Sequence, residues 1–199
     1  LYVATGKLSY PFVGLILFAA GAWFVGTHIG HVHDRVDAWL NPFDPVLYNR
    51  TGGSYQLAQS LFAQADGGVL GKGIGEGMVT LPSGGPLVPA PQTDLIYAVI
   101  VDDLGLTGAC GVIACYLLFI ARGFKAATLA KDSFSTLLAA GLTSVFALQV
   151  FVIVGGVTKV IPLTGVTLPF ISYGGSSMVA NFVLLALLLL VSDRARRSA

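Results

Sequence analysis

Long apolar stretches alternate with short charged ones along this chain. Residues 8–33, 104–121, 133–158 and 160–192 contain no Asp, Glu, Lys or Arg. A membrane-crossing helix takes about 20 predominantly apolar residues, a length these stretches reach or approach. The pattern predicts a first span near 11–29, a second from about 94 to 122, a third over 136–157 and a last within 170–191. Pro11 suits a first helical turn. The segment 31–93 is too long and too patterned for a simple connection. Within 54–65, Tyr55, Ala58, Leu61, Phe62 and Ala65 recur at helical spacing, interrupted by Gln56, Gln59 and Gln64. This predicts a short amphipathic helix lying on the membrane surface. Trp39 to Pro45 reads as a turn with an interfacial aromatic, and a Pro- and Gly-rich run over 82–91 precedes the return to lipid at Thr93-Asp94.

Charge gives the orientation. Lys7, Arg122, Lys125, Lys131, Arg194, Arg196 and Arg197 fall on one side of the spans; Arg35, Arg50, Lys72 and Lys159 fall on the other. The richer side lies close to span ends, so both termini are expected in the cytoplasm and 31–93 outside. Only 11% of the 199 residues are charged, against about 25% for an ordinary soluble domain. No basic run with interleaved aromatics suggests nucleic acid. The chain opens on Leu1 with no signal-peptide pattern, so it is expected to be part of a longer protein. Cys110 and Cys115 point about 140° apart on a helix and cannot bridge locally; buried, inert thiols are expected.

The stretch 161–176, IPLTGVTLPFISYGGS, is uncharged yet broken by Pro162, Pro169 and three glycines, Gly165, Gly174 and Gly175. Irregular backbone inside a membrane survives only where protein or a watery cavity satisfies its amides. The stretch is therefore expected to line a polar site, with Ser172, Tyr173 and Ser176 as its substrate-facing side chains.

Asp94 stands where the chain returns to the membrane. One reading is a first-turn aspartate favoured by the helix dipole, with Thr93 as cap. The other is a general base at the lipid–water boundary, placed for a substrate with a lipid tail and a polar head. Asp102 and Asp103 follow in the same predicted helix. Intramembrane carboxylates usually face a cavity or a partner, and a supporting role is assigned to both. Arg50, Lys72 and Lys159 are the outer cations; a diphosphate leaving group needs positive charge or a metal. Gln56 and Gln59 share a helical face and carry amides able to donate to and accept from sugar hydroxyls. The run 71–77, GKGIGEG, does not fit a P-loop, because Asp66 and Gly73 stand at required positions. His28, His31 and His33 cluster beside Asp34 but read better as interfacial histidines, and no metal ligand is assigned.

Several motifs together carry a resemblance. Besides 161–176 they are Trp39-Leu-Asn-Pro42 with Asp44-Pro45, Tyr55-Gln-Leu-Ala-Gln-Ser60, Gly71-Lys-Gly-Ile-Gly75, Gln92-Thr-Asp-Leu-Ile-Tyr-Ala-Val99 and Asp102-Asp-Leu-Gly105. In order and spacing they resemble the SEDS family of bacterial RodA, FtsW and SpoVE proteins. Its members have ten membrane helices, so the chain resembles their last four plus the large extracellular loop. The fold implied is an all-α polytopic integral membrane protein of the bacterial plasma membrane, with 1–199 one portion of a single membrane domain and the active site facing outside.

The implied activity is polymerisation of lipid II into peptidoglycan strands. Asp94 occupies the position of the family's catalytic base, which deprotonates the acceptor sugar hydroxyl so that it displaces undecaprenyl diphosphate from the donor. The donor linkage is α and the product β, so a single inversion suffices. The implied partner is a class B penicillin-binding transpeptidase, and a divalent cation stays open as a cofactor. Departures are Gln92 for the family's histidine, Ala90 for its glutamate, Ser54 for a glycine and two aspartates for its glutamate pair. The run 155–165 resembles actinobacterial members and favours elongation over division. Two other functions suit parts of the pattern. A lipid II flippase would use the broken helix and the deeper carboxylates, and a scaffold for the transpeptidase would tolerate the altered residues before Asp94.

Overall fold

The computed structural model describes residues 6–28, 30–49, 54–77, 88 and 91–197. Among them it is all-helical: α1 (Ser9–His28), α2 (Gly30–Leu40), α3 (Pro45–Tyr48), α4 (Tyr55–Gly67), α5 (Ile96–Leu129), α6 (Ser133–Val157) and α7 (Gly175–Arg197). Three of these, α5, α6 and α7, are long and apolar enough to cross a membrane. The expected first span is a shorter apolar stretch, Ser9–Phe24, by the same measure. Helix α1 packs on α2 and leaves Phe12, Leu15, Phe18 and Trp23 exposed.

Helices α5, α6 and α7 pack against one another, and α4 lies along α5. Apolar contacts form three clusters. One joins α4 to the start of α5 through Ala63, Leu95, Ala98 and Val101 with Val157. A second gathers Tyr116, Val150, Ile153 and Leu168. A third holds Ala127, Ala139, Leu142, Leu188 and Val191 at the other end. Small residues set the closest approach: a Cβ at Gly123 of α5 would lie 2.4 Å from Thr143 Oγ1 of α6. Helix packing in lipid relies on such close backbone contact, since lipid tails are as apolar as leucine. The turn into α6 is capped by Asp132, whose carboxylate accepts from the Ser135 amide at 2.8 Å.

Several expectations need correction. Helix α5 starts at Ile96 with Leu95 as its cap residue, so Asp94 and Thr93 precede the helix. It also runs past Arg122 to Leu129, because Ala126 and Ala127 continue its packed face. It is broken at Gly105, whose φ of 67° and ψ of −167° belong to no helix. Helix α7 starts at Gly175 and ends beyond Val191, at Arg197. The amphipathic helix exists as α4 but is docked in the bundle rather than laid on a surface. Ser60 Oγ and Gln64 Nε2 both donate to the Val157 carbonyl, at 3.2 and 3.0 Å. Cys110 and Cys115 are free, as expected, but both are exposed. They sit on faces of α5 that no described helix covers.

Candidate active site

The turn 91–95 ahead of α5 holds Asp94, partly buried. Thr93 Oγ1 donates to Asp94 Oδ1 at 2.8 Å and so orients the carboxylate. The opposite oxygen faces the broken segment: a Cβ added at Gly165 would lie 3.6 Å from Asp94 Oδ2. Gly165 has φ +70°, a backbone that glycine adopts at no steric penalty. The Tyr173 amide donates to the Gln92 carbonyl at 2.8 Å. Two separate points of the segment 161–176 thus touch the turn carrying Asp94, across some 70 residues of sequence.

Side chains of the neighbouring helices and of the segment itself satisfy several of its peptide groups, as irregular backbone among apolar helices requires. Ser172 Oγ accepts from the Leu168 amide at 2.7 Å, Gln149 Nε2 donates to the Thr167 carbonyl at 2.9 Å, and Tyr116 Oη donates to the Pro169 carbonyl. Thr167 and Ser177 hydroxyls meet at 2.6 Å, with Asn181 Nδ2 on Ser177 Oγ at 3.3 Å. Sequence reasoning missed Gln149 and Asn181. The available signal was an amide standing alone in each apolar run, which marks a buried partner. From α2, Arg35 donates to the Leu163 carbonyl at 2.8 Å and Trp39 Nε1 to the Lys159 carbonyl at 3.0 Å. These bonds clamp the start of the segment from outside the three long helices.

The expected substrate-facing residues divide accordingly. Tyr173 is 75% exposed and Ser176, in the first turn of α7, is exposed as well. Ser172 is buried and its hydroxyl holds the turn, so it faces the protein and not a substrate. Gln56 is exposed, but Gln59 is buried and donates to Tyr48 Oη at 2.6 Å, tying α4 to α3. Its amide serves packing rather than a sugar. Lys159 is partly buried with φ 63°. Arg50 lies outside the described residues.

Asp102, Asp103 and Lys72 form a second cluster around the glycine loop. Asp103 accepts from the Gly75 and Gly77 amides at 3.1 and 3.2 Å. The Lys72 and Gly73 amides donate to the Asp102 and Asp103 carbonyls. Beyond the break at Gly105, the Leu106 and Thr107 amides donate to the Gly68 and Val69 carbonyls at 2.9 and 3.2 Å. The loop therefore plugs the interrupted helix and satisfies its orphan amides. Asp102 is almost fully buried against this loop. The Asp66 carboxylate, bonded to Lys72 Nζ at 2.7 Å, holds that ammonium above its ordinary range. Among the described residues, no group of three or more His, Cys, Asp or Glu is placed to hold a metal ion.

The family model FTSW_RODA_SPOVE, described as cell cycle protein, matches residues 1–197. The chain belongs to the FtsW/RodA/SpoVE family. It is 47% identical over 197 residues to the peptidoglycan glycosyltransferase RodA of Mycobacterium tuberculosis (strain H37Rv), covering 98% of this chain and 40% of that protein. It is 34% identical over 199 residues to the stage V sporulation protein E of Bacillus subtilis, covering 98% of this chain and 51% of the relative. A solved structure on the coordination of polymerization and crosslinking by a peptidoglycan synthase complex superposes with a TM-score of 0.69 at 27% identity. That match covers 98% of this chain and 52% of the other. The chain thus spans about half or less of the length of these family members.

Proposed function

We propose that this chain carries the catalytic end of a peptidoglycan glycosyltransferase that polymerises lipid II, with Asp94 as the general base. The observation carrying this reading is the convergence on Asp94: one carboxylate oxygen is held by Thr93 and the other faces Gly165 of the broken segment. A carboxylate at the end of a membrane helix, beside irregular backbone, meets a substrate whose head is polar and whose tail is lipid. Asp94 takes the proton of the acceptor sugar hydroxyl. The oxygen forms a bond to the anomeric carbon of the donor as the bond to undecaprenyl diphosphate breaks, with inversion. Asp94 then returns its proton to solvent.

Tyr173 and Ser176, on the broken segment and at the start of α7, offer exposed hydroxyls to the substrate, and Gln56 offers an exposed amide to the sugars. Lys159 and Arg50 supply positive charge for the diphosphate, and Lys72 does so only with Asp66 beside it. The active site faces outside the cell and a class B penicillin-binding transpeptidase is the partner. Elongation is favoured over division, because identity to the mycobacterial RodA exceeds that to the probable FtsW of Geobacter metallireducens, 47% against 34%.

The test is Asp94→Asn in the full-length protein, assayed for lipid II polymerisation with its transpeptidase. Loss of about 10²–10⁴-fold is expected for a general base, at normal expression and normal transpeptidase binding. Near-normal chain growth would remove Asp94 from the chemistry.

A further inference from the structure

At the end of the bundle away from Asp94, a cavity of about 550 Å³ opens between α5 and α7. Its shape follows from the sequence. Phe119, Arg122, Ala126 and Leu129 fall on one face of α5, and Leu185, Leu189, Ser192 and Arg196 form one stripe of α7. Gly123 and Ala126 are buried and too small to fill the space between the stripes, so they form its floor. Phe119, Leu185 and Leu189 make apolar walls, and the groove follows α5 from Phe119 to Leu129, about 15 Å at 1.5 Å per residue. The rim carries Arg122, Lys125 and Arg196. All three are exposed, and none makes an ion pair within 4.0 Å among the described residues. Two acids stand on this side: Asp132 of the α5–α6 turn interacts with Arg194, which is not at the rim, and Asp193 of α7 is exposed next to the lining Ser192.

Apolar walls below and three cations above match one class of ligand: an acyl chain joined to a phosphate. Basic pockets between membrane helices on the Lys/Arg-rich side take anionic headgroups for this reason. The geometry points to a binding site for an anionic phospholipid of the cytoplasmic leaflet. Its phosphate meets Arg122, Lys125 and Arg196, and one chain lies over Gly123 and Ala126. The site stands apart from the proposed chemistry at Asp94, at the opposite ends of α5 and α7.

The test is native mass spectrometry of the delipidated full-length protein, titrated separately with phosphatidylglycerol and phosphatidylethanolamine. Wild type should retain phosphatidylglycerol at least tenfold more tightly. Arg122→Gln, Lys125→Gln and Arg196→Gln should each weaken that binding roughly fivefold, and the triple variant should abolish the preference. Lys131→Gln, a cation of the same side outside the cavity, should leave it unchanged. Leu189→Trp should fill the groove and release the lipid with every charge in place. Equal binding of the two lipids by wild type would overturn the site. So would a preference that survives the triple substitution, or one that falls as far with Lys131→Gln. The single variants carry the test if the triple variant does not fold.

Discussion

Two glutamines three residues apart show how far a side chain's role depends on its neighbours. Gln56 and Gln59 look equivalent on a helical face, yet only Gln56 is exposed, while Gln59 bonds Tyr48. Gln59→Ala and Tyr48→Phe should each destabilise the protein by about 1 kcal/mol, since each removes one end of a partly buried bond. The double variant should lose much less than the sum, which a melting series on all three would reveal. Gln56→Ala should leave the melting temperature alone and lower polymerisation; unchanged activity would return it to an ordinary polar-face residue. Asp94 was legible in the sequence because it stands alone at the membrane boundary. Its contact with Gly165 was not, because spacing along a chain says nothing about which distant glycine closes on it.

Among elements, the interrupted helix α5 depends on the glycine loop that plugs it. A Cβ at Gly105 would lie 2.4 Å from the Gly71 nitrogen, and one at Gly71 would lie 2.2 Å from the Asp103 carbonyl oxygen. Backbone of the kind seen at Gly105 excludes side chains at about 1–3 kcal/mol each. Gly105→Val should therefore destabilise the protein by more than that, with increased amide exchange over 67–77, while Gly111→Val, in open space on the same helix, should be tolerated. Exchange confined to the site of substitution would disprove the plug.

The start of α6 answers to pH. The Ser135 amide holds the Asp132 carboxyl below its ordinary range. A depressed carboxyl contributes stability above its unfolded pKa and loses it as pH falls through the folded value. The melting-temperature gap between wild type and Asp132→Ala should be full at neutral pH and close only below about 3.8, the ordinary value. Asn at this position caps nearly as well and should show a smaller gap with no such closure.

For the whole molecule, orientation decides what the site can reach. With Cys110 and Cys115 replaced by Ala in the full-length protein, a cysteine at Ile74, which is 85% exposed, should react with an impermeant thiol reagent in whole cells. One at Thr128, exposed near the other end of α5, should not. The reverse labelling would place Asp94 in the cytoplasm and exclude polymerisation outside. The chain covers only 40% of the mycobacterial RodA, so that comparison concerns this region of the protein.

Composition and periodicity determined the helical class, three of the four expected spans, the existence of the amphipathic helix though not its docking, and the presence of a broken polar segment. These are local properties: charge-free length, helical spacing and the placement of proline and glycine. Tertiary structure alone decided that Asp94 precedes its helix, that α5 is broken and plugged, and that Gln59 and Ser172 face inward. It also set Gln149 and Asn181 to satisfying the segment beside the site. The plug at Gly105 depends on the Gly68 and Val69 carbonyls, and the role of Gln149 on the Thr167 carbonyl. Gln59 and Ser172 turn inward to meet Tyr48 Oη and the Leu168 amide. The side-chain pattern carries no record of which of these groups will need a partner.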